Sequence, residues 1–154
     1  MTIARPIALG FTALALALSP LAQARSGNPG ALVHMPRADS YPLSEAVRGG
    51  DFLFLSGRLG TSKSEPNGIA AETRRAMDSI GATLTRAGLS FGDLAKCTVI
   101  LADMNEWDAF NAVYGPYFTP GRYPARSVFA AAGLSNNGRV EIECVAYAPV
   151  RHKR

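Results

Sequence analysis

Val140-Glu141-Ile142-Glu143-Cys144-Val145-Ala146-Tyr147 decides the architecture, because its alternation is that of a strand with one buried face. Val140, Ile142, Cys144 and Ala146 point one way; Glu141, Glu143, Val145 and Tyr147 point the other. The two glutamates therefore share a face, the one turned away from any covering helices. A sheet face left open in this way, and carrying valine and tyrosine as well, is a candidate subunit interface. Just ahead, Asn137-Gly138 has the signature of a hairpin turn, and residues 126–132 read as the partner strand.

Working outward, residues 96–103 form another strand rich in β-branched residues, and Phe52-Leu53-Phe54-Leu55-Ser56-Gly57 is an apolar run bounded by glycines. A short strand over 44–47 precedes it. Thr73, Met77, Ile80, Leu84 and Ala87 recur at spacings of three and four, the stripe of a helix that Gly88 stops. A second helix carries Trp107, Phe110 and Tyr114, with Asn105 as the expected cap and Pro116 and Pro120 ending it. Two strands, a helix, a strand, a helix and a strand hairpin make an α+β two-layer sandwich, a mixed sheet with two helices on one face.

The chain has 154 residues, room for one domain with a real core. Arg5, an apolar run over 7–18 and Leu21-Ala22-Gln23-Ala24 follow the order of a secretory signal peptide, with cleavage expected after Ala24. The run is short for a bilayer span, so no stable membrane anchor is expected after cleavage. This divides the chain into a signal peptide (1–24), a loose leader (25–40), one domain (41–150) and a basic tail (151–154). The expected location is a bacterial periplasm or the exterior. Without Arg5, fifteen basic residues face twelve acidic ones. They are dispersed, with no basic and aromatic stripe for nucleic acid, so no nucleic-acid partner is expected. Cys97 and Cys144 lie in predicted strands, and the reading taken is two small buried hydrophobes rather than a bridge.

Arg126 at the mouth of an apolar strand is the residue most suggestive of chemistry. Its guanidinium stays charged and offers a planar fork matched to a carboxylate. Glu141 could hold a water against what that fork captures. In a tight hairpin, however, Glu141 would face Leu134, roughly 26 Å along the strand from Arg126. Either the connection is wider and the register different, or the two residues converge from neighbouring subunits, and the second is the reading taken. Asn111 shares the stripe of Trp107 and Tyr114, where a buried amide is expected to bind a neighbouring strand. Ser56 and Gly57 end a buried strand, and a glycine there allows a ligand to approach the backbone. His34 falls in the leader and His152 in the tail, so no histidine metal site or Ser-His-Asp arrangement is expected. No phosphate loop or dinucleotide fingerprint is present, and no cofactor is expected.

Pro42-Leu43-Ser44-Glu45-Ala46-Val47, Phe54-Leu55-Ser56-Gly57, Asn111-Ala112-Val113-Tyr114, Pro124-Ala125-Arg126-Ser127 and Val140-Glu141-Ile142-Glu143 together resemble the Rid (YjgF-type) family. The likeness runs from about Tyr41 to Ala148. It implies a chorismate-mutase-like fold, a homotrimer with sites in the clefts between subunits, and hydrolysis of 2-imino and 2-enamino acids to 2-oxo acids and ammonia. By resemblance, Arg126 matches the family's carboxylate-binding arginine and Glu141 its water-positioning glutamate. Ser56 matches its strand serine and Asn111 its helical asparagine. Leu43 and Glu45 stand where typical deaminase members have tyrosine and glutamine, and Val128 where cysteine is frequent. A trimer that only binds small carboxylates is the alternative, and the endoribonuclease activity attached to the family's annotation is a third reading.

Overall fold

The alternation over 140–147 becomes a strand paired on both of its edges, and that position organises the sheet. The computed structural model describes residues 31–149, so the expected signal peptide and basic tail lie outside the described residues. The strands are β1 (Val33–Met35), β2 (Ala46–Gly49), β3 (Phe52–Leu59), β4 (Leu94–Leu101), β5 (Ala125–Ala130) and β6 (Val140–Tyr147). They lie in the order β1-β2-β3-β6-β4-β5. Every pair is antiparallel except β4 with β5, which is parallel. The expected α+β mixed sheet with two helices on one face is therefore what forms.

Two expectations about the strands are corrected. The segment 126–132 does not close a hairpin with β6. β5 instead runs parallel to β4 across a helical crossover, and β6 enters between β3 and β4. Asn136 and Asn137 both adopt left-handed backbone, at φ 57° and 54°, within a 3-10 turn over Ser135–Asn137. The turn signal at Asn137-Gly138 is real, but it serves a wide connection. The leader also gives up a strand: β1 pairs with β2, His34 opposite Val47.

Helix α1 (Ile69–Arg86) buries Thr73, Ala76, Met77, Ile80, Thr83 and Leu84 against the sheet, the stripe its sequence spacing predicts. Gly88 ends it at φ +73°, a conformation that an L-side chain adopts only with strain, while Leu89 N–H donates to Leu84 O at 2.9 Å. Helix α2 (Trp107–Tyr114) follows a 3-10 turn over Met104–Glu106. The cap of that turn is Asp103, whose carboxylate accepts from Asn105 N–H at 2.9 Å, rather than Asn105 itself. Asp103 is extended and precedes the turn, so its carboxylate is the group placed to satisfy the first free donors.

Cys97 and Cys144 are bridged, with a Cα–Cα separation of 4.1 Å, which corrects the unbridged reading. They are direct partners on adjacent strands β4 and β6, so the bridge joins neighbours that the hairpin assignment would have kept apart. Closing a segment with a sequence separation of 47 is worth about 4 kcal/mol in the chain-entropy account. Urea denaturation with and without reductant should therefore show a loss of about 2–4 kcal/mol on reduction. The same loss is expected for a Cys97→Ala, Cys144→Ala double variant, with reductant then having no further effect.

Candidate functional site

Arg126 stands on edge strand β5, directly opposite Cys97 of β4, and its side chain lies on the helix-covered face. The α2 stripe meets it there. The guanidinium carbon is 5.2 Å from the Trp107 ring centre, 5.5 Å from Phe110 and 4.8 Å from Tyr114. Trp107, Phe110 and Tyr114 fall on one side of a helix because they are spaced three and four apart. Among the described residues no carboxylate pairs with Arg126. Three aromatic rings surround it, while its donors remain uncommitted to any acid among the described residues.

Tyr114 is nearly buried and its hydroxyl has no hydrogen-bond partner. Burial pushes its phenol up to about 12, and the Arg126 cation opposes that shift only in part. The ring beneath Arg126 therefore stays neutral. Asn111 lies on the same helical side, half-buried, and its amide makes no hydrogen bond to another described residue. The expected tie to a neighbouring strand is absent, since the amide reaches solvent and is not enclosed.

Glu141 occupies the opposite, open face of the sheet. It is half-buried between Val140 and Ile142, which point into the core. A Cβ built on Gly57 would collide with Glu141 Oε1, so the missing side chain is what lets the carboxylate lie over the β3 backbone. This happens at the irregularity where the β3–β6 register shifts between Leu55 and Arg58. Ser56 is adjacent. Its hydroxyl donates to Ser44 O at 2.6 Å and its N–H to Glu45 O at 3.1 Å. Ser44 Oγ is in turn 3.1 Å from His34 Nδ1, so this histidine belongs to the fold rather than to a loose leader.

Arg126 is level with Cys97 and Glu141 with Ile100, three residues further along β4. The offset is about 10 Å along the sheet and about 10 Å across it, with the side chains on opposite faces. Serine, glycine and glutamate thus come together in one chain, while Arg126 and Asn111 form a second group. Sequence reasoning missed the aromatic setting of Arg126 and the seat that Gly57 makes for Glu141. The α2 stripe was visible, but it read as core. Glu45, standing where deaminase members have glutamine, forms an ion pair with Arg86. Leu43 is largely exposed. Among the described residues no His/Cys/Asp/Glu cluster could hold a metal ion, and no helix is long and apolar enough to cross a membrane.

Fold and site define a small α+β domain with an aromatic-backed guanidinium on one sheet face and a seated carboxylate on the other. Residues 35–148 match the family model described as Endoribonuclease L-PSP. The chain is 39% identical over 109 residues to the 2-iminobutanoate/2-iminopropanoate deaminase of Capra hircus, covering 68% of this chain and 79% of the relative. The human protein of the same name is 36% identical over 109 residues, with the same coverage. Among solved structures, a conserved Rid-family protein from Yersinia pestis gives a TM-score of 0.71 at 27% identity, covering 77% of this chain and 100% of that one. RidA of an Antarctic Psychrobacter gives 0.65 at 28% identity, covering 79% and 96%. The chain belongs to the Rid (YjgF-type) family.

Tyr117, like Tyr114, has its phenol pushed up to about 12, by burial first and then by its hydrogen bond to Asp78. An unfolded tyrosine loses its proton near pH 10, so between about 10 and 12 the folded chain holds protons that the unfolded chain has lost. Stability should be fully present below pH 10 and fall as pH rises toward 12. Urea midpoints across that range should show the fall. Tyr114→Phe should remove only the share due to Tyr114, leaving that of Tyr117, while costing little at pH 7, where the Tyr114 hydroxyl makes no hydrogen bond.

Proposed function

We propose that the protein hydrolyses small 2-imino or 2-enamino acids to 2-oxo acids and ammonia, in clefts between the subunits of a homotrimer. The observation that carries this reading is Arg126, a half-buried guanidinium backed by three rings and paired with no acid among the described residues. In a family whose relatives include proteins named 2-iminobutanoate/2-iminopropanoate deaminase, that fork is suited to a substrate carboxylate. Asn111, with its amide uncommitted, would take a second polar atom of the substrate.

The separation of Arg126 and Glu141 on opposite faces supports a site shared between copies. So does the open face itself, where Phe52, Phe54, Phe129 and Tyr147 are each about half exposed. In such a cleft Arg126 of one copy faces Ser56, Gly57 and Glu141 of the next. Glu141 takes a proton from water as its oxygen attacks the imine carbon, giving a carbinolamine. Starting from the protonated imine, Glu141 returns that proton to the carbinolamine nitrogen. The C–N bond breaks as ammonia leaves, and the hydroxyl gives its proton to Glu141 as the carbonyl of the 2-oxo acid forms, the proton then passing to solvent. General-base help of this kind is worth about 10²–10⁴-fold. Ser56, committed to Ser44 O as a donor, can still accept a hydrogen bond from water or substrate nitrogen.

The Cys97–Cys144 bridge supports an oxidising compartment, in keeping with the signal-like N-terminus. A binding trimer without turnover is the second reading. It is favoured by Leu43, an exposed apolar side chain where deaminase members carry tyrosine. The dispersed basic residues lend the ribonuclease reading little support.

Ammonia release on imino acids made in situ by an amino-acid oxidase tests the proposal. Arg126→Ala should lower kcat/KM by about 10²–10⁴-fold through loss of a charge-assisted bidentate contact. Glu141→Gln should lower kcat by about 10²–10⁴-fold with KM nearly unchanged. Light scattering should give three times the mass of one chain. An active monomer would sink the shared site, and binding without turnover across a broad imine panel would leave the non-catalytic trimer.

A further inference from the structure

We infer that Trp107 is the positioning residue that sets how tightly Arg126 holds a substrate carboxylate. This rests on the carboxylate role given to Arg126 above and assigns the machinery behind it.

A long arginine side chain is a poor clamp until something restrains it, because each hydrogen bond to a carboxylate must also fix several rotatable bonds. Here the restraint is aromatic. Phe110 and Tyr114 are buried core residues and form the floor under the guanidinium, at 5.5 and 4.8 Å. Trp107, half-buried at the first turn of α2, adds the third ring at 5.2 Å. Rings take the flat faces of a guanidinium, so its in-plane N–H groups are left for an anion. Neither ring of the floor competes for it. Phe110 has no polar side-chain atom, and the Tyr114 hydroxyl makes no hydrogen bond.

The three rings differ in what else they support. Phe110 is wholly buried and Tyr114 nearly so, and both stack with neighbours in the core: Phe110 on Tyr114 at 5.1 Å, Tyr114 on Phe118 at 4.8 Å. Trp107 makes no ring–ring contact of that kind among the described residues. Indole also has the most strongly attracting face of the three ring types. Trp107 is therefore the ring whose loss should alter the clamp while leaving the core standing. It is also the chain's one tryptophan, so its emission reports on the guanidinium beside it.

Calorimetric binding of 2-oxobutanoate to the purified protein, beside imine turnover and the thermal midpoint, tests the assignment. Trp107→Ala should weaken binding and raise KM together by about fivefold to thirtyfold, the range of a desolvated cation–π contact, with kcat within about twofold. Trp107→Phe should recover affinity to within about threefold of the parent. Butanoate, which does not absorb where indole does, should change the Trp107 emission of the parent but not of Arg126→Ala.

Unchanged affinity in Trp107→Ala overturns the inference. Equal losses of kcat and thermal midpoint in both Trp107 variants also overturn it, since they mark packing alone. A parent that binds 2-oxobutanoate with this Trp107 dependence yet turns over no imine keeps the inference and ends the deaminase reading. A parent that binds no 2-oxobutanoate ends both.

Discussion

Pairing of β6 on both edges, to β3 and to β4, is the constraint on which the rest of the structure depends. It carries Glu141 to the irregular end of β3, where Gly57 has no side chain to push the carboxylate away. It sends β5 outward to the sheet edge, parallel to β4, so Arg126 is presented at a margin and not in the middle of the sheet. It also makes Cys97 and Cys144 partners, and the bridge between them fixes β6 to the strand that registers β5. One arrangement thus sets the position of the acid, the position of the cation, and the rigidity of the frame between them.

From this follows the division of labour between the two faces. The helix-covered face supplies an apolar environment in which a permanent cation is tolerated because aromatic rings hold it. The open face supplies a carboxylate next to exposed phenylalanine and tyrosine. On the proposed function neither half completes the site by itself, since the groups lie on opposite faces and about 10 Å apart along β4. In the proposed trimer, burial of the open face by a neighbouring copy and completion of the site would be one event.

How much of this was legible in the sequence follows from which signals are local. The alternation of β6 and the three-and-four spacing of α1 are properties of neighbouring residues, and both were read directly. Strand pairing is not local. Asn137-Gly138 carries a turn signal, but the signal says only that the chain bends there, and β5 finds β4 across a helical crossover instead. The bridge went unread for the same reason, because it needed the knowledge that β4 and β6 are neighbours. β1 was hidden by the glycine, proline and serine around it, although its pairing with β2 brings His34 to Ser44. Arg126, Glu141, Ser56 and Gly57 are legible as site residues, but the role of the rings around Arg126 is not, since a stripe such as Trp107, Phe110 and Tyr114 looks like core until a strand supplies the cation.

The segment over 43–45 shows how this chain holds its altered positions in place. Ser44 O accepts from the Ser56 hydroxyl, and Glu45 O accepts both Ser56 N–H and the Arg58 guanidinium, at 3.1 and 3.3 Å. Arg58 is a buried cation whose burial lowers its pKa, and it also donates to Thr83 Oγ1 in the last turns of α1. The helix C-terminus offers partial negative charge in that region, which helps to offset a cation lacking a carboxylate of its own. The Glu45 carboxylate is meanwhile drawn to Arg86 on the same helix. Both charged residues therefore fasten the segment to α1 and turn away from the Ser56 and Glu141 side. Glu45 serves as an anchor through its ion pair with Arg86, and Leu43, two residues before it, stays exposed at the surface.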